Sequence, residues 1–290
     1  MVQSNSIAET ASEAFHIPTW IIGLIVAVTA GFIFIGGIQR IASVTEKLVP
    51  IMAILYILLC TVILIIYIKD LPEAFMKIIR YAFQPQAVIG GSIGSAFKIS
   101  ISQGVKRGLF SNEAGMGSIP HAHAMANVEK PHDQGVAAII GLFIDTFIVL
   151  TMTALVAIVI FYTNETQFFD GFINSEITKS NMISIAFSKV FGDTLGKIFV
   201  AICILFFAFS SIIGWNLFGK INVQYLFGKK ATVIYSALTV IFIFIGSLFP
   251  NDLVWELADM FNNLMVIPNV IAIAALSGIV VEIMKKGINR

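Results

Sequence analysis

Between residues 110 and 120 the chain reads Phe-Ser-Asn-Glu-Ala-Gly-Met-Gly-Ser-Ile-Pro, a polar, glycine-bearing interval set between long apolar runs. Gly115 and Gly117 can leave helical geometry at little steric cost, and Pro120 lacks the N–H that a continuing helix needs. In hydrocarbon such a break is tolerated only where protein or a water-filled cavity satisfies the freed backbone groups. The chemistry it offers is ion and zwitterion binding. Freed carbonyls, with the side-chain oxygens of Ser111, Asn112 and Ser118, can coordinate a small cation, and unpaired amides at a new helix start can hold a carboxylate. Glu113 can pair with an ammonium, bind the cation or hold the break together. An ordinary loop with a helix cap at Ser118 accounts for the same residue types.

Other polar groups stand inside apolar runs. Asp145 in GLFIDTFIVL is ionisable where a charge is expensive, which marks it as functional or as a partner for free backbone amides at a neighbouring helix break. Lys98 is similarly placed but long enough to snorkel. In FAFSSIIGWNLFG, Ser210 and Ser211 precede Trp215 by about one turn, and on a helix Ser211 and Trp215 share a face. That face can offer a hydroxyl to a cation and an indole to a small substrate; equally, the serines can satisfy helix backbone while the Trp anchors at the membrane interface. Gly90, Gly91 and Gly94 have the small-residue spacing of close helix packing. His121 and His123, two residues apart, point away from each other on a helix and have no completing Cys or His, so no zinc site is expected.

The elements that must position these groups are membrane helices. Of 290 residues 58% are hydrophobic and only 12% charged, against about a quarter charged in soluble domains, and the mean hydropathy is +0.92. The fold class is therefore all-α, a polytopic membrane helix bundle in the lipid bilayer, read as one transmembrane domain over residues 1–290. A net charge of +1 predicts no nucleic-acid partner. Cys60 and Cys203 sit in apolar runs as buried thiols. Runs of roughly 20 apolar residues place spans at about 18–37, 48–68, 83–105, 135–162, 196–218, 231–249 and 266–285, with Pro50 in the first turn of the second. The polar stretch from Val2 to Glu13 has no signal-peptide pattern. One alternation of loops puts eleven of the eighteen Lys and Arg residues on one side, which is then the cytoplasm, with the N-terminus outside. Residues 163–195 are too polar to span; 182–191 within them suit an amphipathic helix, in a lid or a solvated loop. Residues 252–265 read as a half-helix that folds back or lies at the interface.

The run GVKRGLFSNEAGMGSIPHAHAMANVEKPHDQG, residues 104–135, resembles the signature of the alanine/glycine:cation symporters, the sodium:alanine symporter family. Residues 1–8, 36–56, 143–156, 214–219 and 265–269 resemble further family segments in the expected order. The resemblance implies a partial leucine-transporter-like fold of inverted repeats, with a site between broken first and sixth helices. On that scheme the first span here is helix 4, residues 90–117 carry helix 6 and its break, 135–162 are helix 7 and 196–218 helix 8. It implies that Phe110, Asn112, Gly115 and Trp215 bind substrate and that Ser210 or Ser211 serves the ion; the residues themselves add Gly117 to the substrate set and Ser111 and Ser118 to the ion set, with Glu113 and Asp145 as structural or gating residues. The implied activity is sodium-coupled symport of alanine or glycine across the plasma membrane, with Na⁺ as coupling ion, no cofactor and no enzymatic reaction. Three family helices precede the first span here, so the chain reads as a carboxy-terminal portion of the family pattern. The alternative is a non-transporting membrane fragment or half of a split transporter.

Overall fold

The structure is a computed structural model that describes residues 1–83, 93–113, 115–161 and 181–288. All regular structure among the described residues is helical: α1 (Val2–Phe15), α2 (Thr19–Ile35), α3 (Gly37–Ile66), α4 (Leu71–Phe83), α5 (Ile93–Asn112), α6 (Ile119–His123), α7 (Pro131–Phe143), a π-helical segment (Ile144–Leu150), α8 (Thr151–Phe161), α9 (Met182–Phe191), α10 (Asp193–Phe227), α11 (Ala231–Gly246) and α12 (Asn251–Ile288). Among the described residues, four stretches are long and apolar enough to cross a bilayer, Val49–Ile66, Pro131–Phe161, Asp193–Phe227 and Asn251–Ile283, and α2 and α11 are shorter apolar helices. The chain is a multi-pass membrane helix bundle.

Several boundaries differ from expectation for physical reasons. Helix α3 starts at Gly37, so Pro50 lies in its interior rather than in a first turn, and one ladder hydrogen bond is missing there. The segment expected at 83–105 is the helix Ile93–Asn112, which is not among the four spans because Lys98, Gln103, Lys106 and Arg107 dilute it. Gly90 and Gly91, with residues 163–180 of the exterior connection, lie outside the described residues. The amphipathic helix expected at 182–191 forms with those bounds and buries Ala186 and Phe187. Residues 252–265 do not fold back. They continue through Pro268 into the last apolar run as one 38-residue helix, α12.

The polar stretch after Met1 is a helix in its own right. Ser4, Asn5 and Thr10 are buried on one side of α1 beside Ile7 and Ala8. Asn5 explains why so polar a segment can pack. Its Nδ2 donates to the carbonyls of Gly246 at 3.0 Å and Phe249 at 2.8 Å, at and just beyond the end of α11. The last carbonyls of a helix have no partner within it, and here a side chain supplies one. Asn251 Nδ2 closes the network by donating to Asn5 Oδ1 (3.2 Å) and Glu9 Oε2 (2.9 Å).

The chain divides into two compact units, residues 1–84 with 135–254, and residues 85–134 with 255–290. The first holds two apolar cores. One joins α1, α2, α10 and α11 around Ala30, Phe34 and Ile213; the other joins α3, α4, α8, α9 and α10 around Ile63, Phe161 and Phe187. Both cysteines are free and buried in the second core. The smaller unit carries α5, α6 and most of α12, and with them the break.

Candidate functional site

Helix α5 ends at Asn112 and α6 begins at Ile119, so the break is shorter than the polar interval suggested. Phe110, Ser111 and Asn112 are helical, the last turn of α5. The chain then turns through three left-handed residues: Glu113 at φ 51°, Gly115 at 89° and Gly117 at 78°. The two glycines adopt this region freely, whereas Glu113 does so at a steric cost. A side-chain bond holds the turn. Ser118 Oγ donates to Glu113 Oε2 at 2.6 Å, the short distance of a hydroxyl on an ionised carboxylate, and Ser118 is fully buried. Ser118 therefore stands at the start of α6 without capping it; no side-chain cap bond forms there, and its hydroxyl ties one side of the break to the other. This bond joins the two sides of the break, which is one of the three roles open to Glu113.

The electrostatics of the two helix ends are unequal. Helix α6 has five residues, little more than a turn, so the carboxylate cradle expected at its start is weak. Helix α5 has 20 residues and directs its last carbonyls, and the negative end of its dipole, at the break. A small cation or an ammonium suits this end better than a carboxylate.

Within the same unit α12 lies alongside the break. Arg107 Nη2 donates to Asp259 Oδ2 at 2.7 Å, and its guanidinium carbon stands 4.6 Å from the centroid of Trp255. The Phe110 ring packs on the same indole, centroids 5.0 Å apart. Lys106 Nζ reaches Asp259 Oδ2 at 3.9 Å. Arg107 and Phe110 are three residues apart, Trp255 and Asp259 four, so each pair shares a helix face and the two faces meet. Phe110, which the resemblance assigns to the substrate, packs in this latch through its ring. His121 and His123 bond apart, Nδ1 of one with the Ser118 carbonyl (2.9 Å) and Nδ1 of the other with Gln134 Nε2 (2.8 Å).

The remaining candidates lie in the larger unit and are described by themselves. Ser210 Oγ and Ser211 Oγ both donate to the Phe207 carbonyl, at 2.9 and 3.0 Å, which leaves their lone pairs as acceptors. Trp215 is half-buried and meets Phe218 edge-on at 6.1 Å. Asp145 is exposed, bonds to no described residue, and sits in the π-helical segment, a wide turn common at functional positions.

Asn216, beside Trp215, was missed. It is 1% exposed, and neither Oδ1 nor Nδ2 has a partner among the described residues. An Asn inside the apolar run of α10 was the available signal. Asn216→Leu keeps the branched outline and removes the unpaired amide, so it is expected to raise stability by about 1–3 kcal/mol, read as a higher melting midpoint in detergent. A lowered midpoint would mean that the amide has a partner in the folded protein.

A polytopic helix bundle with a helix broken at left-handed glycines has features of the construction of a secondary transporter. The sodium:alanine symporter family profile matches residues 1–288, and the chain belongs to that family, one of transporters and not of enzymes. It is 36% identical over 282 residues to the sodium/alanine symporter AgcS of Methanococcus maripaludis, covering 97% of this chain and 60% of that one. Identity is 35% over 285 residues to the amino-acid carrier protein AlsT of Bacillus subtilis (98% and 58%). Against the sodium/proton-dependent alanine carrier protein of Bacillus sp. strain PS3 it is 34% over 283 residues (95% and 63%). The chain thus spans less than two thirds of the length of these relatives.

Proposed function

We propose that this chain serves the sodium-coupled symport of small neutral amino acids, alanine or glycine, across the plasma membrane. The observation that carries the reading is the break between α5 and α6, turned by Gly115 and Gly117 and tied by the Glu113–Ser118 bond, in a chain of this family. The carbonyl end of α5 favours a small cation, and the amino acid would bind beside it with Asn112, Gly115 and Gly117 in contact. Ser111 and Ser118 supply further oxygens, and Ser210 and Ser211, with Trp215 one turn on, are the candidates on α10. Coupling follows from sharing the break. If sodium orders the backbone that also holds the amino acid, each ligand tightens the other by the same factor, typically about 5- to 150-fold.

The test is uptake of radiolabelled alanine and glycine into cells lacking their own carriers, with a sodium gradient, a proton gradient or neither. Sodium-driven accumulation is expected. Asn112→Ala should raise the half-saturating alanine concentration by about tenfold, the loss of one hydrogen bond to a charged group. Equal uptake in all three conditions would sink the reading, and an unchanged half-saturation would remove Asn112 from the site.

A further inference from the structure

Asn269 on α12 is not part of the latch and makes no hydrogen bond to any described residue, yet it lies directly against the break. A Cβ built on Gly117 would stand 2.8 Å from Asn269 Oδ1, 3.1 Å from Cγ and 3.3 Å from Cβ. The absence of a side chain at residue 117 is what lets the amide approach, and the atom nearest the break is its oxygen. The residue before it is Pro268, inside the helix. Having no N–H, Pro268 leaves the Leu264 carbonyl without its helical donor. An uncommitted amide oxygen and a freed carbonyl thus occur together on α12, where Asn269 meets a backbone turn already rich in oxygen acceptors. A half-buried Asn set among apolar neighbours in a spanning helix gains nothing from that position unless it has a polar partner.

We propose that Asn269 supplies a further ligand to the break, its amide oxygen binding a small cationic group, either the sodium ion or the ammonium of the amino acid. These acceptors would each favour positive charge: the carbonyl end of α5, which points at the break, the Leu264 carbonyl freed by Pro268, and the Asn269 amide oxygen that lies against Gly117. The inference rests on the break being the binding site, and the experiment separates the two.

Binding of radiolabelled alanine to purified protein is measured at a series of sodium concentrations for wild type, Asn269→Leu, Asn269→Asp and Asn112→Ala. Leu matches the outline of Asn without its oxygen; Asp keeps the oxygen. Asn269→Leu is expected to weaken binding about tenfold or more, while Asn269→Asp stays within about threefold of wild type. If the loss is overcome by raising sodium, the oxygen binds sodium; if it persists at saturating sodium, it binds the ammonium. Wild-type binding by Asn269→Leu, with weakened binding by Asn112→Ala, overturns the role of Asn269 and leaves the break as the site. Unchanged binding in both variants, or no alanine binding by wild type, overturns the reading of the break and this inference with it. A lowered melting midpoint in Asn269→Leu with unchanged affinity assigns Asn269 to packing and also overturns the proposal.

Discussion

Gly117→Ala is expected to abolish the proposed sodium-driven alanine uptake, whereas Gly115→Ala leaves a measurable remainder. Both residues have left-handed φ values, 78° and 89°, so either alanine incurs about 1–2 kcal/mol of backbone strain. Their surroundings differ. A methyl at residue 115 would meet only Leu109 Cδ2, at 3.4 Å, an ordinary contact with a movable side-chain end. A methyl at residue 117 would overlap the Asn269 amide at 2.8 and 3.1 Å, and overpacking of that kind costs a further 1–3 kcal/mol or so. Together the two effects come to about 2–5 kcal/mol, each 1.4 kcal/mol being a tenfold change in an equilibrium. The turn would move to relieve them, and with it the atoms proposed to bind the ligands. Adding Asn269→Ala should restore stability to Gly117→Ala only in part, because it removes the amide overlap but leaves the φ strain and a Cβ contact at 3.3 Å. Surface-normalised uptake and melting midpoints of the purified variants read both effects. Equal losses from the two alanines would mean that strain alone matters and the approach of Asn269 does not.

How far this turn was legible in the sequence depends on which force fixes each part of it. Gly115, Gly117 and Pro120 have backbone constraints of their own, and the break lies where they stand. Asn112 and Phe110 have none, and α5 runs on through them to the edge of the glycines. Ser118 has the composition of a cap, yet it found a carboxylate within reach, and a charge-assisted bond outweighs a neutral cap. That choice depends on Glu113 entering the left-handed region, a local departure that no propensity favours. Apolar length located the spans at 48–68, 135–162 and 196–218 because burial in lipid depends on little else. The same rule passed over α1, whose helix is stabilised by a network between Asn5 and the end of α11, some 240 residues away. It also split α12 at Pro268, since proline inside a membrane helix can be absorbed by neighbouring groups and need not end it. The π-helical segment at Asp145 left no mark in hydropathy, because a wide turn changes hydrogen-bond register and not composition.

The latch is the clearest case of a feature fixed only by tertiary structure, and it carries the second large expectation. Arg107→Ala should destabilise the protein by about 2–3 kcal/mol, and adding Asp259→Ala should give back part of that loss. The reason is the unequal exposure of the pair. The Asp259 side chain is 12% exposed and that of Arg107 39%, so removing the arginine leaves a carboxylate largely out of water with only Lys106, at 3.9 Å, to compensate. Breaking a buried pair from one side costs about 3–5 kcal/mol, and the exposure of Arg107 moderates it here. Removing both charges takes away the uncompensated one, so the double variant should be more stable than Arg107→Ala alone, a coupling that a double-mutant cycle on melting midpoints measures directly. Asp259→Asn keeps an acceptor for the guanidinium and should cost only about 1 kcal/mol. Trp255 sharpens the asymmetry, because only loss of Arg107 removes the cation from its ring face, worth about 0.5–1 kcal/mol. Phe110 packs on that same ring three residues before the break, so a loosened indole unseats the end of α5. Arg107→Ala should therefore weaken the proposed alanine binding although Arg107 itself contacts Asp259 and Trp255. Additive losses in the cycle would show that the two charges stabilise the fold independently, and the latch would then have no claim on the geometry of the break.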